Sequence, residues 1–404
     1  MVRAIIGLVL ILAGSTVVTA SADASSRVSG VLRAVHLPTG GDAGSKQSVA
    51  YQVDIAHTGD AAGTLVPPLS AIWAVNLGGA VGYPVVVNGV VVVAANGSLI
   101  ALHEKTGKVI WSQPAPTGGG WVGPAYDNGM IFSNVLYTNG SQGIGMYAFA
   151  LKTGKQLWSA VLPGQYAFSS PPTASNGIVY TGGAGSGGTV YAFSESNGQL
   201  LWTAQVQNGD DSSPAVSPTG VYVSYACPQT YDFNPTTGAQ IWYYSGPCEG
   251  GGGSTGVLYD NLYFVEDSSV VNGYNGIVLT ANSGQPAGNF NSNYPPAFAH
   301  HIGFFTTNGQ TLVAASVPKL TPVWTATINS SDSYATPPLI VGGTVYIETA
   351  SGQLLGYALR TGKVMVQMSL GYSDSSPGFS RGLGYGSHDL IVPADSELIA
   401  LRGS

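Results

Sequence analysis

Asp and Glu are scarce in this chain, and five of them fall where short connecting segments gather: Asp210, Asp211, Glu249, Asp332 and Asp374. Four aromatic residues, Trp121, Tyr166, Tyr334 and Tyr372, stand in the same set of Gly-, Ser- and Pro-rich segments. Five of 20 acidic residues in about a sixth of the chain is a modest enrichment, and ordinary turn-forming Asp is the plain alternative. Brought together, these groups would make a shallow acidic pocket rimmed by rings. Tyr and Trp faces stack on sugar rings, while carboxylates hydrogen-bond hydroxyls, hold a cation or serve as general acid and base. Asp211, Glu249, Asp332 and Asp374 are the candidate catalytic acids for glycoside hydrolysis, which needs two carboxyl groups about 5–9.5 Å apart. A lyase would draw instead on Tyr166, on His300 or His301, and on Arg381 to neutralise charge.

The elements that would position these residues are set by a repeat. A segment of the form apolar-x-Ala-apolar-x-x-x-(Thr/Ser/Asn)-Gly-x-apolar-apolar-Trp recurs at Leu99–Trp111, Tyr147–Trp158, Tyr191–Trp202 and Tyr231–Trp242. Each copy reads as two strands, since Ile100-Ala101-Leu102 and Val109-Ile110-Trp111 alternate with the two-residue period of half-buried sheet. Thr106-Gly107, Thr153-Gly154, Asn197-Gly198, Thr237-Gly238 and Thr361-Gly362 supply the positive-φ position of the joining turn. A second hairpin precedes each copy, turning at Asn88-Gly89, Asn128-Gly129, Asn176-Gly177, Thr219-Gly220 and Gly342-Gly343. Every unit is therefore a four-stranded meander.

Tryptophan anchors at 73, 111, 158, 202, 242 and 324, with degenerate junctions near Gly288 and Val366, give eight units of about 41 residues. That period suits an all-β, eight-bladed β-propeller of four-stranded antiparallel blades over residues 70–404. The last unit ends after three strands, and Ala71–Val75 is an outer strand without a partner. The N-terminal strand is thus expected to complete the last blade, which removes open edges from the ring. The carboxylates and aromatic residues above then lie on the loops between blades, at the mouth of the central channel.

The Ala-x-x-x-x-Thr-Gly-x-x-x-Trp element resembles the tryptophan-docking motif of the pyrroloquinoline-quinone (PQQ)-type eight-bladed propellers over nearly all of residues 70–404. The resemblance implies one of two things. In quinoprotein alcohol dehydrogenases the quinone is sandwiched between a Trp and a vicinal disulfide, Ca²⁺ is held by carboxylate and amide oxygens, and an Asp is the base. This chain has no adjacent cysteines and no Cys-x-x-Cys-His haem motif. It is closer to the cofactor-free members, such as the outer-membrane-assembly lipoprotein propeller, so no cofactor is expected, and scaffolding is implied. Ser15, where a lipoprotein would carry its lipidated Cys, departs from that model.

Residues 1–22 read as a secretory signal peptide: Met1-Val2-Arg3, the apolar run Ala4–Ala13 and an Ala-x-Ala site at Ala20-Ser21-Ala22. The product is expected to be secreted, extracellular or periplasmic, without a transmembrane anchor. Export allows a disulfide between Cys227 and Cys248, the chain's two cysteines. Residues 23–69 form an irregular lead-in. Its run Tyr51–Gly59 reads as a segment that crosses one face of the ring and plugs or pads it; His57 beside Asp54 is its one pair with acid–base chemistry.

Composition narrows the function. A net charge of −7 with no Lys/Arg cluster excludes nucleic acid as a partner. Only 8% of residues are charged, against 57 Gly and 22 Tyr, which suits an exposed surface rich in hydroxyls and an exterior that is harsh or acidic. The expected role is an exported, non-catalytic propeller that binds or scaffolds a protein or polysaccharide. The carbohydrate-active enzyme and the quinone-dependent dehydrogenase are the alternatives.

Overall fold

The structure, a computed structural model of the 404-residue chain, describes residues 46–116, 119–137, 145–162, 170–182, 188–209, 212–247, 255–271, 273–372 and 381–404. Contacts divide the chain after His36, and all of these residues fall in the second unit, Leu37–Ser404. They are strands and turns without a helix. Blade 1 shows the local logic. Val85–Val87 turns at Asn88-Gly89 (φ 51° and 79°) into Val90–Ala95, which is followed by Ser98–His103 and Val109–Pro114. Asn and Gly tolerate the two left-handed positions that a two-residue hairpin turn demands.

Eight such sheets follow one another around the ring: blade 1 (85–114), blade 2 (119–161), blade 3 (173–205), blade 4 (215–245), blade 5 (257–290), blade 6 (297–327), blade 7 (339–369) and blade 8 (384–403 with 69–76). As the sequence predicts, Leu69–Asn76 is the outer strand of blade 8, antiparallel to the C-terminal Glu397–Gly403. Blade 2 carries an additional short strand, Gly119–Trp121, on its second strand.

Most inner strands are fully buried, as in Val85–Val87, while those of blades 2 and 5 are partly so. Outer strands bury at most one residue, as in Gln156–Val161, where it is Trp158. That residue docks on the next blade. The indole N–H groups of Trp73, Trp111, Trp158, Trp202, Trp242 and Trp324 donate to the carbonyl oxygens of Glu104, Leu151, Glu195, Pro235, Ala281 and Leu359 at 2.6–2.9 Å. Each ring lies flat on the glycine three residues further on. A Cβ at Gly107, Gly154, Gly198, Gly238, Gly284 or Gly362 would come within 2.5–2.8 Å of the indole. The repeated Gly therefore does two jobs, supplying the left-handed turn and the floor for the ring.

Candidate functional site

Residues 48–61 run through the centre of the ring and bond to its inner strands. The N–H groups of Val86, Tyr126, Val216, Leu258, Phe298 and Ile340 donate to the carbonyl oxygens of Ser48, Val49, Ile55, Ala56, Thr58 and Gly59 at 2.7–2.9 Å. In blade 8, Ser48 N–H donates to Tyr385 O, and Tyr385 N–H donates to Ser48 Oγ. Blade 3 makes no such bond among the described residues. Asp60–Ala61 finally adds to the inner strand of blade 7 as a parallel partner.

Side chains pin this plug. Gln52 donates to Pro295 O at 2.9 Å. His57 is fully buried at φ 64°, with Nδ1 2.8 Å from Tyr51 O and Nε2 3.0 Å from Pro214 O. Two carbonyl acceptors are both satisfied only by the imidazolium. Burial nonetheless lowers the His57 pKa from its ordinary value, against the pull of the Tyr51 carbonyl and Asp54, and so opposes that charge. Asp54 itself accepts from the N–H groups of Ala56 and Thr58 and from the Thr58 hydroxyl. His57 thus ties the plug to blade 4, and Asp54 fixes the turn that precedes it.

The meander places both the interblade loops and the turns between second and third strands on one face. There, strand register brings one residue per blade to an equivalent rim position near the end of the second strand: Ala94, Asn134, Gly182, Ser224, Glu266, Thr306, Glu348 and Pro393. Glu348 is 1% exposed. Its N–H is held by Thr336 Oγ1, its Oε2 accepts from the Tyr372 hydroxyl at 3.0 Å, and its Oε1 has no hydrogen-bond partner. Burial pushes its carboxyl up to about 8, against the pull of the Tyr372 hydroxyl and Arg381. Arg381, also buried, hydrogen-bonds Tyr372 and acts on Tyr294, whose hydroxyl donates to Tyr334 O at 3.3 Å. Glu266 acts on Tyr51 at the top of the plug, whose phenol is raised first by burial. Glu348, Tyr372, Arg381, Tyr294, Tyr51 and Glu266 form a linked polar cluster at the mouth over blades 5 to 8. A small cavity lies beside the plug, lined by Gln52, Pro338, Leu339, Gly382 and Leu383. Gln52 Oε1, buried without a partner, belongs to that wall.

Of the residues singled out by sequence, Tyr372 joins this cluster. Tyr334 is a correction: it is 2% exposed, packed in the core of blades 6 and 7 with its hydroxyl 3.4 Å from that of Tyr357, and is no rim aromatic. Trp121 is half-buried between blades 1 and 2, donating to Gln113 O and meeting Tyr147 and Phe149 edge-on. Asp332 accepts from the Ser333 and Ser351 N–H groups and the Ser351 hydroxyl. Burial works against it, yet these bonds hold its carboxyl below the usual range, so it is a turn-forming Asp. His300 and His301 form the inner hairpin turn of blade 6, both at positive φ, with His301 3.4 Å from Asp260. Such turns lie on the face opposite the interblade loops, which separates the pair from Arg381. Asp210, Asp211, Glu249, Asp374, Tyr166 and Cys248 lie outside the described residues, as do residues 1–45. Cys227 is buried in a tight turn at φ 63°. Glu348 and Glu266 were missed because they sit in strands. The available signal was a carboxylate closing an otherwise apolar run, Val345-Tyr346-Ile347-Glu348 and Tyr263-Phe264-Val265-Glu266.

Among the described residues no group of three or more His, Cys, Asp and Glu is placed to hold a metal ion, and no helix is long and apolar enough to cross a membrane. A planar quinone needs a flat slot on the axis. At the level of the inner strands residues 48–59 bond to seven of the eight blades, so a quinone would have to lie clear of this segment.

Comparisons with known proteins agree with this geometry. The family described as "Outer membrane protein assembly factor BamB" matches residues 28–175 and 144–367, so the chain belongs to that family. Tetrathionate hydrolase of Acidithiobacillus ferrooxidans is 26% identical over 160 residues, 39% of this chain but only 27% of that protein's length. Among solved structures, BamB from Moraxella catarrhalis superposes with a TM-score of 0.62 at 15% identity, over 83% of this chain and 98% of its own. A europium-containing methanol dehydrogenase gives 0.67 at 16% (81% and 86%), and the quinohemoprotein alcohol dehydrogenase of Comamonas testosteroni 0.68 at 15% (90% and 81%). At these identities the structural likeness carries the fold alone.

Proposed function

We propose that this member of the BamB family is an exported binding or scaffold protein that holds a protein or glycan partner against the loop face of its ring. The plug carries the reading. Seven inner strands bond to the chain's own residues 48–59, so the axis is closed and the mouth becomes a floored, polar recess rimmed by Tyr294, Tyr372 and Arg381. A rigid floored ring suits recognition, since little order must be gained on binding. Secretion outside the membrane and a Cys227–Cys248 bridge complete the reading. Such a bridge would close a loop worth on the order of 3 kcal/mol, and alkylation with and without reductant tests it.

A second reading, a hydrolase at the same mouth, is favoured by one observation: Glu348 is a buried acid with one oxygen unbonded, suited to general acid–base work. The partial likeness to tetrathionate hydrolase supports its small-anion form.

The test is a thermal-shift screen of the chain from Asp23 against soluble polysaccharides, tetrathionate, and PQQ with Ca²⁺. Ligand at about 100 times Kd stabilises by roughly 2.7 kcal/mol. A shift with a polysaccharide that Tyr372→Ala abolishes supports the binding reading. Product release from tetrathionate, lost in Glu348→Gln, replaces it with the hydrolase. A shift with PQQ and Ca²⁺ overturns both.

A further inference from the structure

Several acidic side chains lie buried or half-buried away from the mouth, in the joints between blades, and two of these joints hold them without a cation among the described residues. At the joint of blades 2 and 3, the half-buried Asp127 ends the inner strand of blade 2 and Glu195 stands in the turn that receives Trp158. Glu195 is 1% exposed, and the two carboxyl groups hydrogen-bond each other. Two carboxyl groups can share a hydrogen bond only while at least one keeps its proton. The other groups facing them are neutral donors: Asn128 Nδ2 at 3.3 Å from Glu195 Oε2, the N–H groups of Asn176 and Gly177, and the phenol of Tyr180. Glu195 Oε1 has no partner.

At the joint of blades 4 and 5, Asp232 sits mid-strand, 2% exposed, opposite Trp242. It takes the Val221 N–H, its Oδ1 has no partner, and the phenols of Tyr222 and Tyr263 face it. The backbone makes room for it, since a Cβ at Gly220 would lie 2.3 Å from Oδ1. Blade 8 shows the contrasting solution. There Asp389, equally buried, is gripped by the fork of Arg402 at 2.6 and 2.7 Å. In blade 8 the buried charge is met by a guanidinium; among the described residues the buried Glu195 and Asp232, and the half-buried Asp127, receive none.

We propose that these joints are built around protonated carboxyl groups, so that the ring is adapted to an acidic exterior and loosens as its surroundings become neutral. An ionised carboxylate with a bare oxygen and no counter-charge is the most expensive group to bury, whereas the neutral acid is tolerated and donates to its neighbour.

The direction of the pH dependence follows. Burial first, and the Asp127 charge second, push Glu195 up to about 8; burial pushes Asp232 up to about 8. The unfolded chain releases these protons near pH 4, while the folded chain keeps them until about pH 8. Folded protein therefore binds more protons across that window, and stability is full below it and falls as pH rises through it.

The experiment is thermal unfolding of the full chain from pH 4 to 8.5, for the parent, Glu195→Gln and Asp232→Asn. The parent is expected to melt highest at the acid end and to lose about 5 °C or more by pH 8. Each amide variant, neutral at every pH, should melt with the parent at pH 4.5 and above it at pH 8. A parent that melts no lower at pH 8 than at pH 4.5, or amide variants that gain nothing at pH 8, overturns the proposal. If an amide fails to fold, infrared spectra at pH 7 of Glu348→Gln, which lacks the buried acid of the mouth, decide: a protonated-carboxyl stretch that persists in this variant supports the proposal, and its absence overturns it.

Discussion

The joint between blades 5 and 6 solves the packing problem of the ring in the reverse sense from the six joints that follow the repeat. In the six, a Trp on one blade lies on a Gly of the next. At the joint of blades 5 and 6 the register puts Gly288 where the Trp would be and Leu320 where the Gly would be. Leu320 keeps the glycine's backbone, at φ 53°, and bonds Ser316 O as Gly362 bonds Ala358 O. Its side chain fills toward the Phe264, Phe290, Phe298 and Phe305 cluster from the opposite side. Large and small have been exchanged across the interface, with a leucine in place of the larger indole beside the phenylalanine cluster. The joint of blades 7 and 8 also departs from the pattern, with Val366 at the Trp position. Both departures fall in blades 5 to 8, the half that carries the polar cluster at the mouth. Regular docking makes blades 1 to 4 the uniform half of the ring.

The largest test of this contrast is Trp158→Ala. It removes a ring that is 8% exposed and the donor to Glu195 O, and should cost about 3–5 kcal/mol in chemical denaturation. Gly198→Ala attacks the same joint from the other side. The new Cβ would meet the indole at 2.5 Å, and the residue must hold φ 71°, so a loss of about 2–4 kcal/mol is expected. A cost below 1 kcal/mol for either would show that docking contributes little to the ring.

The exchange at blades 5 and 6 is tested by reversing it. Gly288→Trp alone must crowd Leu320, and Leu320→Gly alone leaves a void; each should cost about 1–3 kcal/mol. The double variant recreates a Trp on a Gly and should recover part of that loss, with a coupling of about 1–3 kcal/mol. Additive losses would mean that the two positions do not share one space.

Much of this architecture is legible in one dimension because its determinants are local. Asn88-Gly89 and Thr106-Gly107 announce their turns by conformational need, and Trp spacing counts the blades. The exchanged joint is visible only as a missing anchor near Gly288, since nothing local says that Leu320 replaces it from the next blade. The mouth is less legible. Glu348 reaches the rim through strand register, and Tyr334 leaves it because its loop dips into the core, so neither follows from loop membership. Tyr372 could be placed because it lies in the interblade connection itself, just past the outer strand Val364–Ser369.

The smallest predicted effect concerns that residue, and asks whether the irregular half is tuned as well as built. Tyr372→Phe removes the hydroxyl that donates to Glu348 Oε2 at 3.0 Å while keeping the ring. The lost bond should cost about 0.5–1.5 kcal/mol. Because that hydroxyl holds the Glu348 carboxyl down against its burial, its loss should move the titration upward from about 8. Infrared difference spectra, with Glu348→Gln as the assignment control, read this directly. An unchanged titration would mean that Arg381 and burial alone set the acid. The polar mouth would then be, like blades 1 to 4, a product of packing and not of a tuned hydrogen bond.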